Sequence, residues 1–207
     1  MRPRHIYIVH PFVPAYRRGL YQRLYERLQT KGIELKIVEN TPPPSLRDRQ
    51  DAISDDWTRE IDCRWFRLAG RDVAIRNLHN VGAKRGDLFI VEQALKNLET
   101  YPLLLGRRRS GFRVAMWGHG RTYSTAQASG LTVLKNYVTR RADWFFAYTE
   151  AGARYVTETG FPRGKITTLK NTIDTDALQS DIRRVRPAEL HGMYESLNLK
   201  PGKVALF

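Results

Sequence analysis

The residues best able to do chemistry stand just after short apolar runs. His10 follows Ile6–Val9, with Tyr16, Arg17 and Arg18 soon after it. Glu92 and Gln93 follow Asp87–Val91, and Gly118, His119, Gly120 and Arg121 follow Phe112–Trp117. Thr149 and Glu150 come after Trp144–Tyr148, and Asn171, Thr172 and Asp174 after Lys165–Leu169. An imidazole near a carboxylate can hold or move a proton, amides and carboxylates bind hydroxyls, and guanidiniums hold phosphate. Each residue also has a plainer role open to it. His119 between two glycines could bond a backbone carbonyl in a tight turn. Glu92, costly at the end of an apolar strand unless paired, could meet an arginine. Thr149 could cap a helix, and Asn171 and Asp174 could form an Asx-turn and a cap. Arg17 and Arg18 could be a solvated helix start, although a helix N-terminus carrying arginine also suits phosphate.

Other chemistries fit poorly. The histidines (His5, His10, His79, His119 and His191) and the lone Cys63 give no metal-ligand spacing, so no metal is expected. There is no G-x-x-x-x-G-K-[ST], no G-x-G-x-x-G and no G-x-S-x-G. No RNA-binding signature of glycine and aromatic residues appears.

The elements that must position these residues alternate. Strands are expected at Ile6–Val9, Ile33–Val38, Cys63–Leu68, Asp87–Val91, Phe112–Trp117, Trp144–Tyr148 and Lys165–Leu169, several as near-continuous apolar runs of a sheet buried on both faces. Helices are expected at Leu20–Gln29, Tyr101–Arg109, Leu131–Ala142 and Glu150–Thr159. Pro102 restricts the second of these to starting near Tyr101. Strand, helix, strand repeated in this way predicts an α/β fold: a doubly wound, Rossmann-like parallel sheet of about seven strands with right-handed crossovers. Such sheets bind ligands at the carboxyl ends of their strands, where the residues above converge. The stretch 40–62, with Pro42-Pro43-Pro44, is too long for an ordinary connection and is read as an excursion with room for a short helix. Asp174–Leu199 reads as polar helix. Lys203–Phe207 reads as the first strand of something further, so the chain is expected to be a domain of residues 1–199 followed, at 200–207, by the start of a second domain.

The 207 residues carry a formal charge of +14. Residues 40–62 hold six acids and three arginines, net −3, which leaves +17 elsewhere. That charge favours polyanions: nucleic acid, anionic lipid headgroups, or phosphate-bearing substrates. One cysteine excludes a disulfide scaffold, and the apolar and aromatic content argues against disorder. No apolar run approaches a membrane span. The basic start and Ile6–Val9 are read as a first strand and not a leader, since His10, Pro11 and Tyr16-Arg17-Arg18 follow, and the protein is expected in the cytoplasm.

Taken in order, these segments resemble the N-terminal domain of family-four glycosyltransferases, which have the two-domain GT-B fold. The most specific stretch is ADWFFAYTEAGARYVTETGFPRGKITTLKNTIDTDAL, Ala142–Leu178. FRVAMWGHGR, Phe112–Arg121, is similar to the family strand that ends in a histidine near the transfer site. HPFVPAYRRGLYQRLYERL, His10–Leu28, is similar to the first loop and helix of a subset. That loop reads Pro14-Ala15-Tyr16-Arg17-Arg18-Gly19 where many members carry a Gly-Gly pair. The resemblance implies transfer of a sugar from a nucleotide diphosphate sugar to a carbohydrate or lipid-linked acceptor, with retention and without a metal. It places the acceptor pocket in this domain and most of the nucleotide-sugar site in a second one, so that this chain alone would not turn over. It implies His119 as a contact to the transferred sugar or the reacting oxygen and Glu92 as a partner of acceptor hydroxyls; from their place at the strand ends, His10, Tyr16, Arg17, Gln93, Arg121, Thr149, Glu150 and Asn171 are the further candidates for binding the acceptor. Many relatives sit on membranes, and +17 would suit an anionic inner leaflet. A basic module for nucleic acid, the less favoured partner, and a stand-alone sugar- or headgroup-binding protein are the competing readings.

Overall fold

The computed structural model describes residues 3–11, 13–40, 54–68, 70–121, 129–170, 173–200 and 202–204. The chain divides into two compact units, residues 1–172 and 173–207.

The first unit is built on a seven-stranded parallel sheet. Its strands are β1 (His5–Val9), β2 (Glu34–Glu39), β3 (Thr58–Glu60), β6 (Leu88–Glu92), β7 (Arg113–Gly118), β8 (Trp144–Ala147) and β9 (Ile166–Thr168), in the order β3-β2-β1-β6-β7-β8-β9. The doubly wound fold expected from the sequence is therefore present. Helices α1 (Arg18–Gln29), α2 (Thr100–Ser110), α3 (Ser129–Thr139) and α4 (Glu150–Glu158) form the crossovers. Period-two alternation splits each strand between two cores. Ile8, Ile90, Ala115 and Trp117 face Tyr21 of α1, whereas Tyr7, Val9, Phe89, Val91, Val114 and Met116 pack with Leu104 of α2, Val138 of α3 and Val156 of α4. Pro102 lies in the first turn of α2, where its missing N–H costs no helical bond.

Three expectations need correction. Cys63–Leu68 is a strand, β4, but not of the main sheet: it pairs antiparallel with β5 (Arg71–Arg76) in a separate hairpin. Its seventh place in the sheet is taken by Thr58–Glu60, at the edge beside β2. The physical signal was there: C-R-W-F-R-L breaks its apolar run with arginines, as suits a half-solvated antiparallel pair. Within the stretch 40–62, Thr58–Glu60 is thus a strand of the sheet, and 41–53 lie outside the described residues. The polar helix expected over Asp174–Leu199 is two helices, α5 (Thr175–Arg184) and α6 (Pro187–Ser196), because Pro187 can start a helix but not continue one. Asp174 caps α5 by accepting from the N–H of Ala177 at 3.1 Å. Lys203 and Val204 are not in a strand, and Ala205–Phe207 lie outside the described residues. No helix among the described residues is long and apolar enough to cross a membrane.

Candidate functional site

The carboxyl ends of β1, β7 and β8 bring together much of what the sequence singled out. His10 leaves β1 with its backbone N–H bonded to the carbonyl of Val38, so its ring turns down into the sheet end. It is buried, its Nε2 lies 2.7 Å from the Tyr21 hydroxyl, and it meets the edge of Trp117 at 4.6 Å between ring centroids. Burial pushes its pKa well below the usual histidine value, and the nearby charges of Arg17 and Arg76 push the same way. His10 is therefore a neutral imidazole that shapes the floor of the site.

Arg17 is buried too, at the start of α1. Its guanidinium stands 4.8 Å over Trp117 and 5.5 Å from the rings of Tyr16 and Tyr148, with Nε donating to the Tyr16 hydroxyl at 3.1 Å. A cation held between three ring faces and desolvated is fixed in place. Tyr148, at the end of β8, has its phenol pKa raised mainly by burial, and its ring takes the edge of His119 at 4.8 Å. His119 itself is exposed. His10, Tyr16, Arg17 and His119 thus lie around one aromatic cluster. The sequence reading missed three members of it, Tyr21, Trp117 and Tyr148. Trp117 Nε1 is buried with no hydrogen-bond partner among the described residues.

The remaining candidates have structural ties. Glu92 ends β6 and accepts from Asn97 Nδ2 at 3.3 Å, not from an arginine. Gln93 donates to Thr139 Oγ1 at 2.8 Å, which ties the end of β6 to α3. Thr149 caps α4, accepting from the N–H of Gly152 at 3.1 Å, and Glu150 is an exposed acid in the same first turn, where it suits the helix dipole. Arg121 is exposed, with its backbone N–H on the carbonyl of His119. Asn171 lies outside the described residues. Among the described residues no group of His, Cys, Asp and Glu could hold a metal ion.

Neutrality of His10 has a measurable consequence. The unfolded chain takes up a proton here below about pH 6.5, whereas the folded chain does not, so stability falls as pH drops through that value. One such proton contributes a slope of about 1.4 kcal/mol per pH unit, between the unfolded pKa and the depressed folded one. As pH falls below about 6.5, the stability of the parent is expected to fall relative to that of His10→Gln by this slope, measured by denaturation of both. Equal slopes in the two proteins would refute the assignment.

No family model matches the chain, and no curated protein matches it. Among solved structures, the chain is similar to the UDP-GlcNAc 2-epimerase from Methanocaldococcus jannaschii, at 12% identity with a TM-score of 0.43 over 80% of this chain. It spans 45% of that structure's chain.

Proposed function

We propose that this chain is the acceptor-binding domain of a transferase that moves a sugar from a nucleotide diphosphate sugar to a carbohydrate or lipid-linked acceptor. The observation that carries the reading is the exposed imidazole of His119, edge-on to Tyr148 beside a guanidinium clamped by aromatic rings, at the carboxyl end of a parallel sheet. The sequence resemblance of Phe112–Arg121 and Ala142–Leu178 to family-four transferases supports it.

In this reading the rings of Tyr16 and Tyr148 offer apolar faces and hydroxyls to a sugar, the combination that pyranose rings need. His119 bonds the transferred sugar as an oxocarbenium-like centre develops. Arg17 supplies fixed positive charge toward the departing diphosphate, and needs no reorganisation because its neighbours hold it. His10, buried and neutral, keeps a second positive charge away from that guanidinium. Glu92 accepts from acceptor hydroxyls.

The test is transfer by the polypeptide its gene encodes, from a panel of nucleotide diphosphate sugars to oligosaccharide and glycolipid acceptors. His119→Ala is expected to lower kcat/KM about a hundredfold, the usual loss of one preorganised group at developing charge, with Tm unchanged because the side chain is exposed. A variant as active as the parent would overturn this role for His119, and no transfer with any donor would overturn the reading as a whole.

A further inference from the structure

Basic side chains gather where α2 and α3 end. A crossover helix runs back against the strands it joins, so these ends lie at the amino ends of the strands, opposite the rim that carries His119. α2 closes with Arg107, Arg108 and Arg109, and Arg140 and Arg141 follow α3 directly. Arg107 is answered by an acid, its Nη1 2.5 Å from Oδ1 of Asp143. Among the described residues, Arg108, Arg109, Arg140 and Arg141 pair with no carboxylate. Arg140 donates to the carbonyl of Thr159 at 3.0 Å and Arg141 to the Tyr137 hydroxyl. These guanidiniums are exposed and keep their charge toward solvent.

Basic residues at a helix carboxyl end complement its dipole, but that does not call for hydrocarbon beside them. Yet the two most exposed of the large apolar side chains described stand on these helices, Leu105 of α2 at 78% and Val133 of α3 at 66%. Leu105 lies one turn before Arg108 and Arg109, on the same outer face of α2. Leu104 and Leu105 share with Arg107, Arg108 and Arg141 an open cleft of about 490 Å³. Free hydrocarbon among unpaired cations suits the surface of an anionic bilayer, where the cations meet headgroup phosphates and the apolar side chain enters the acyl boundary. Nucleic acid fits less well. Unpaired bases need an aromatic face to stack on, and the Tyr137 ring is covered by the guanidinium of Arg141, 4.7 Å from its centroid. A phosphate backbone also gives an exposed leucine nothing to pack against.

We propose that the ends of α2 and α3 dock the protein on an anionic lipid bilayer, with Arg108 and Arg141 on headgroup phosphates and Leu105 at the acyl boundary. The rim with His119, at the other ends of the strands, then stays open to solvent. The proposal does not rest on sugar transfer, so it is tested by binding alone. In co-sedimentation, vesicles of phosphatidylcholine with phosphatidylglycerol are expected to bind the protein, and vesicles of phosphatidylcholine alone are not. Binding is expected to weaken as salt rises. Arg108→Gln with Arg141→Gln is expected to weaken it about thirtyfold, since each basic residue at the surface contributes roughly a factor of five. Leu105→Ser is expected to weaken it about tenfold. Tm is expected to be unchanged in both variants, because the side chains are exposed. Arg23→Gln with Arg27→Gln removes the same charge from exposed positions of α1, on the other face of the sheet, and is expected to bind as the parent does. Equal binding to neutral vesicles, an equal loss in the α1 variant, or parental affinity in Leu105→Ser overturns the proposal. A DNA duplex bound more tightly than the vesicles, and weakened by the Arg108 and Arg141 changes but not by Leu105→Ser, would assign the surface to nucleic acid instead.

Discussion

Arg76→Ala is expected to destabilise the protein by about 3–5 kcal/mol, measured as the loss of unfolding free energy in urea. The reason is where the charge sits. Arg76 closes β5 with its side chain 1% exposed, donating to Oδ1 of Asn40 at 2.5 Å and to Oε1 of Glu99 at 2.6 Å, with the Trp65 ring 5.6 Å away. It ties the hairpin, the end of β2 and the start of α2 together. Removing it leaves Glu99 a desolvated carboxylate whose Oε1 loses its donor and whose Oε2 has none among the described residues, and takes away the donor to Oδ1 of Asn40. The attraction between the two charges is a smaller matter, because both were taken out of water to make it. The double variant Arg76→Met, Glu99→Leu is therefore expected to recover most of the loss, as apolar replacements of buried ion pairs commonly do. If the double variant were as unstable as Arg76→Ala, the destabilisation would come from lost packing and not from an orphaned charge.

That pair also marks what was legible in the sequence and what was not. The sheet could be read from Ile6–Val9, Phe112–Trp117 and Trp144–Tyr148, since strands buried on both faces are apolar throughout and contrast with the helices between them. Thr58–Glu60 could not. It is a three-residue edge strand of Thr, Arg and Glu, and edge strands are short and charged because one side meets solvent. Arg71–Arg76 hid for a related reason, with polar residues at both its ends. At the site, residues directly following strands were legible, because the chain direction alone delivers them to one edge. Tyr21 and Trp117 were not, for they look like ordinary members of an apolar helix face and strand. Their role comes from His10 and Arg17 being buried against them, and burial of a charged side chain is decided by distant elements. Likewise nothing in the spacing of Arg76 and Glu99 tells that each is the other's partner.

On the transferase reading proposed above, Gly152→Ala is expected to cost about 1–3 kcal/mol of stability and roughly a hundredfold in acceptor turnover. A β-carbon at position 152 would lie 2.6 Å from the backbone carbonyl oxygen of His119, and one at Gly120, whose φ is +72°, would lie 2.8 Å from the carbonyl oxygen of Gly152. Both clashes are with backbone, which cannot swing aside. The loop carrying His119 therefore rests directly on the first turn of α4, a contact only a glycine pair permits. Thr149 caps that turn through the N–H of Gly152 itself, so the helix end is not free to retreat. The remaining way to relieve the contact is to lift the His119 carbonyl, and with it the imidazole that stands on Tyr148. Displacement of a positioned group by a fraction of an ångström to an ångström shows in kcat more than in folding. Gly164 is the control, because a β-carbon there would meet nothing within 4 Å and its φ is not in the left-handed range. Gly164→Ala is expected to match the parent in Tm and kcat. With folded fraction held equal by circular dichroism, a Gly152→Ala protein that kept parental kcat would separate the glycine contact from the placement of His119.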